Sequence, residues 1–122
     1  MATKIEVMNF LKQNFRFEHV SDNVVRFPYT YDDGRTQVVY ARLDDQFMVI
    51  ASPFAAEEDI TPSLAFKLAD EVLLGITKLG GLYQVIHVVP LADVDEDEII
   101  LGLGLVADEA DNLEKLVGRD SF

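Results

Sequence analysis

Hydrophobic positions along the 122-residue chain change period several times, and each change marks an element. Ile5, Met8, Leu11 and Phe15 recur at three- and four-residue spacing behind Thr3-Lys4-Ile5-Glu6. That tetrapeptide is a T-x-x-E capping box, so the spacing predicts a helix over 4–14, with Phe10 lying off its apolar stripe. From Val24 the period becomes two: Val25, Phe27, Tyr29 and Tyr31 alternate with Arg26, Pro28 and Thr30, as in a half-buried strand. Asp33-Gly34 marks a tight hairpin, "TQVVYARL" the return strand, and Asp44-Asp45 a second turn into "QFMVIAS". Pro28 cannot donate to a ladder, which places the first strand at an edge or at a bulge. The third strand is apolar on both faces through Phe47 to Ala51 and suits an interior position.

The second half repeats the logic. Thr61 and Pro62 are an N-cap and a first helical residue, and Leu64, Ala65, Leu68, Val72, Leu73 and Ile76 predict a long second helix. Gly80-Gly81 would end it in the left-handed conformation. "LYQVIHVV" reads as a fourth strand, "PLADVDEDE" as a loop, and "IILGLGLV" as a fifth strand. Asp108 would then cap a last helix carrying Ala110, Leu113, Leu116 and Val117. The expectation is one α+β domain over 1–122, ordered α-β-β-β-α-β-β-α, with an antiparallel five-stranded sheet and helices on one side.

Composition narrows what such a domain can do. Net charge is −12, with 22 acidic against 10 basic residues. Residues 1–50 hold seven acids and six bases, whereas 51–122 hold fifteen and four. Nucleic acid and anionic membrane surfaces are both repelled by that half. The chain has no cysteine, which removes disulfides, thiolate metal sites and cysteine nucleophiles. Apolar runs fall short of the roughly 18 residues a membrane span needs, and the N-terminus has no signal-like apolar core. These features predict a cytoplasmic protein.

Three stretches invite chemistry. Gly102-Leu103-Gly104-Leu105-Val106-Ala107 fits G-x-G-x-x-A, but too little chain follows for a second parallel strand, and Asp108, Glu109 and Asp111 stand where a pyrophosphate would sit. On a strand, Gly102 and Gly104 instead share one face and allow close approach of a helix or a second subunit. Asp93–Glu98 is acidic, but Glu98 and Gly104 occupy the sixth and twelfth positions where a calcium loop needs Gly and Glu. His19 and His87 are far apart, and no G-x-S-x-G or H-E-x-x-H occurs. The residues therefore predict no catalytic group, no metal ligand and no cofactor.

The capped first helix, the meander "VVRFPYTYDDGRTQVVYARLDDQFMVIA", the "TPSLAFKLADEVLLGITKLGG" segment and the pair "LYQVIHVV" and "IILGLGLV" together resemble the type III secretion chaperone-like fold. That group includes small effector chaperones, YbjN-like proteins and a cyanobacterial family of unknown function; the likeness runs from Thr3 to about Val117. The resemblance implies a dimer that binds an extended stretch of another protein without hydrolysing nucleotide. Read from the residues, an edge strand bearing Phe27, Tyr29 and Tyr31 could accept such a segment by strand addition. The alternative is that these aromatics pack beneath a helix. A second functional reading is a small-ligand sensor or enzyme with a pocket near His87. Apolar strands on both sides of the sheet further predict a homodimer, with the Gly102 and Gly104 face as its interface.

Overall fold

The computed structural model describes residues 3–118 and is α+β. Among these residues the order is α1 (Lys4–Asn14), β1 (Glu18–His19), β2 (Val24–Thr30), β3 (Thr36–Leu43), β4 (Phe47–Ala56), α2 (Pro62–Leu68), β5 (Gly75–Leu79), β6 (Leu82–Pro90) and α3 (Glu96–Val117). The strands form one open antiparallel sheet in the spatial order β1-β2-β3-β4-β6-β5. Of the described helices, none is long and apolar enough to cross a membrane.

The meander stands as expected. β2, β3 and β4 pair in sequence, with β4 in the interior between β3 and β6. The Thr3 cap is also present: Glu6 N–H donates to Thr3 Oγ1 at 3.2 Å. α1 is rotated from the expected stripe, however. Val7, Phe10 and Leu11 are buried while Ile5 faces solvent. Both sets have helical spacing, and an aromatic cluster decides between them: Phe10 meets Phe15, and Phe15 and Phe17 both meet Phe27 of β2.

Two apolar segments are corrected. The long second helix stops at Leu68, passes through a 3-10 turn at Ala69–Glu71, and is followed by strand β5. Gly75, Ile76 and Thr77 are poor helix formers, and β5 gains a full ladder with β6. Gly80 and Gly81, at φ +60° and +79°, make the two-residue hairpin turn between them instead of ending a helix. The expected fifth strand "IILGLGLV" is the N-terminal half of α3. Asp95, not Asp108, caps that helix, accepting from Glu98 N–H at 2.8 Å. Ile99, Leu103, Val106, Ala107, Ala110 and Leu113 are buried along one side, and this stripe outweighs the helix cost of two glycines, about 1 kcal/mol each. Six strands result rather than five.

Registers show which face the helices cover. Val25, Ala41, Ile50 and His87 form one cross-strand row, and the first three are fully buried. α3 lies on this face: a Cβ built at Gly102 would meet Ile50 Cδ1 at 3.3 Å and His87 Cδ2 at 3.4 Å. α2 sits toward the β5–β6 end of the same face, with Ala65 and Leu68 buried and Ile76 and Tyr83 nearby. A bulge at Phe54, following Pro53, turns that ring fully into the core.

Candidate functional site

The buried acidic groups are spent on holding the fold. Arg35, just after the Asp33-Gly34 turn, donates from Nε to Asp111 at 2.9 Å and from Nη2 to Glu114 at 3.2 Å, tying the β2–β3 hairpin to α3. Lys115 adds contacts to Asp111 and Asp33. Glu109 accepts from the backbone N–H groups of Leu73 and Leu74, at 2.8 and 3.2 Å, and so clamps the segment entering β5. The Tyr31 hydroxyl donates to Asp108 at 3.0 Å. Burial, then that hydrogen bond and the nearby negative charge, push the Tyr31 phenol well above its ordinary 10.0; burial raises Tyr29 as well. Among the described residues no group of three or more His, Cys, Asp or Glu is placed to hold a metal ion.

The aromatics expected at a receptive edge belong to this intramolecular framework. Phe27 is 1% exposed beneath Phe15 and Phe17, and Tyr29 and Tyr31 are partly buried alongside α3. Gly102 and Gly104 do not stand on the expected strand. They lie on a helix, Gly102 is buried against its own sheet, and Gly104 has open space beside it. The close approach expected of Gly102 is therefore made within one subunit. In that setting the G-x-G-x-x-A pattern forms no phosphate-binding loop. His87 is partly buried under Gly102 and lines none of the three surface grooves described below.

Two apolar surfaces of the sheet are open among the described residues. The first is the outer edge of β5, which has β6 on one side and no strand on the other among the described residues. Phe66 on α2, Leu73 before the strand and Leu79 at its end are 83%, 88% and 62% exposed. A groove of about 350 Å³ runs between α2 and this hairpin, lined by Ala65, Phe66, Ile76 and Tyr83 among others. Phe66 falls outside the periodic apolar stripe of α2, which was the sequence signal that it has no core role.

The second surface is the face of the sheet turned away from the helices. Its rows are read from the register: Arg26, Tyr40, Ala51, Ile86 and Gly75; then Val24, Arg42, Val49 and Val88; then Phe47 and Pro90. Val88 and Phe47 are 48% and 42% exposed, and Val49, Ala51, Tyr40 and Ile86 are half-buried by their neighbours alone. At the Phe47–Pro90 end the face meets a groove of about 680 Å³ reaching Ile5 of α1. A smaller groove of about 290 Å³ separates α1 from the start of α3. Because every second residue of β4 and β6 points outward, the apolar character of both faces was legible in these strands.

Compared with known proteins, the chain matches no protein-family model and no curated protein.

Proposed function

We propose that this chain is a non-enzymatic protein-binding module, chaperone-like in mode, that engages an extended segment of a partner protein. The observation that carries the reading is the β5 edge with its exposed apolar border. Backbone groups on a free edge can hydrogen-bond an added strand, and pockets beside the edge can select alternate side chains of that strand. Phe66 and the groove between α2 and β5 supply such a pocket. Apart from the short β1, the element order is α-β-β-β-α-β-β-α, although its last two strands are β5 and β6 rather than the segments on which the resemblance was read. The buried acids are bound to Arg35 or to backbone N–H groups, which further supports a structural rather than catalytic use.

Selection of peptides from a displayed random library tests this reading. Bound peptides should protect backbone amides of Gly75–Leu79 from hydrogen exchange, and Phe66→Ser should weaken them by about tenfold or more. Failure to select any binder, protection confined to other strands, or saturable binding of ATP or NAD at micromolar levels in calorimetry would each sink the proposal.

A further inference from the structure

We infer that the open face of the sheet is the seat of a second copy of this chain, the two sheets packing face to face about a two-fold axis. The first argument is charge. The protein carries 22 acidic residues, yet among the described residues no acidic side chain of β2 to β6 falls on this face. Its charged members are Arg26 and Arg42, with Glu18 of β1 closing the same row at the outermost strand; Arg26 is paired with Glu18, and Arg42 with Asp44 of the next turn at 3.4 Å. In a two-fold contact each side chain near the axis meets its own counterpart, so an acidic residue there would face another. A strongly acidic chain can pair with itself only through a patch emptied of its dominant charge. A basic partner would be drawn instead to the acid-rich surface elsewhere.

The second argument is size. Five strands, β2 to β6, at about 4.8 Å spacing and about seven residues each give a face of roughly 24 Å by 24 Å. That is roughly 550 Å² per copy and 1,100 Å² for the pair, close to the lower bound of about 1,200 Å² for stable specific interfaces. The third is relief. Small Ala51 lies in the middle, with Tyr40, Ile86, Val49 and Val88 around it, a mixture that lets two sheets interdigitate at about 10 Å. Neither the outer backbone of β5 nor Phe66 takes part, so dimerisation and peptide capture are separable.

Sedimentation equilibrium of the unmodified chain should show a dimer at tens of micromolar, with a micromolar dissociation constant. Val88→Asp should raise that constant by at least about tenfold, and Phe66→Ser should leave it unchanged. Since the chain has no cysteine, a single introduced thiol reports the geometry directly. Ala51→Cys should form a disulfide-linked dimer under mild oxidation, and Asn112→Cys, on the exposed side of α3, should not. This second variant decides the matter even if Val88→Asp fails to fold. An unmodified chain that is monomeric, a folded Val88→Asp that dimerises normally, or equal cross-linking of the two thiol variants overturns the proposal. So does a selected peptide that protects the open face of a monomer.

Discussion

Gly102 and Gly104 stand two residues apart on α3 in opposite surroundings. Beside Gly104 nothing lies within 4 Å, so Gly104→Ala adds helix propensity without a clash. It should stabilise the protein by about 0.5–1 kcal/mol. At Gly102 an added methyl would sit 3.3 Å from Ile50 Cδ1, which must give slightly, and 3.4 Å from His87 Cδ2, at the near limit of ordinary contact. The helix gain is then offset, and Gly102→Ala should be close to neutral, whereas Gly102→Phe should lift α3 from the sheet and cost at least about 2–3 kcal/mol. Urea midpoints of the three variants check the order. Tyr31 makes a pH prediction. In the unfolded chain its phenol ionises near the ordinary 10.0; in the fold, burial and the Asp108 hydrogen bond hold the proton to higher pH. The stabilisation is complete below pH 10 and is lost as pH rises through the folded value. Alkaline unfolding should therefore be shallower in Tyr31→Phe, as followed by circular dichroism.

The elements divide into those with one compatible pattern and those with two. β2 alternates Val25, Phe27 and Tyr29 with Arg26, Pro28 and Thr30, an Asp-Gly turn leads it into β3, and α1 and α2 begin at Thr caps, so local chemistry and tertiary context agree there. The segments 72–79 and 99–106 are different. Each is a short apolar run, and such a run satisfies a strand period and a helix period equally well. The partner decides: residues 75–79 gain a ladder with β6, and 99–106 gain the covered face of the sheet. The β5–β6 hairpin depends on its turn. Gly81 at φ +79° cannot take a β-branched side chain without strain, so Gly81→Val should cost about 1–2 kcal/mol. Gly80→Asn should be nearly neutral, because Asn tolerates that region. Faster amide exchange at Gly75–Leu79 in Gly81→Val, with α3 unaffected, is the expected signature.

At the scale of the whole molecule, the charge of −12 opposes any pairing of two copies. Added salt screens that repulsion, with a Debye length of about 8 Å at physiological strength and about 3 Å at 1 M. The dimer should consequently tighten as sodium chloride rises, the reverse of an interface made by ion pairs, and sedimentation across a salt series measures it. The sequence alone was enough to determine the α+β class, the β2–β3–β4 meander and the capped starts of α1 and α2. Each of these rests on local periodicity, capping and turn chemistry. It also held the signs of surplus apolar surface, since β4 and β6 are hydrophobic on both sides. Only the tertiary structure decided the fate of the two ambiguous runs, the burial of Phe27 beneath Phe15 and Phe17, and the turn of Gly102 toward Ile50 and His87. The physical reason is that strand pairing and helix seating are long-range choices. Cross-strand partners here lie up to 43 positions apart in the chain, as Phe47 and Pro90 do, and no local pattern records which partner a run will find.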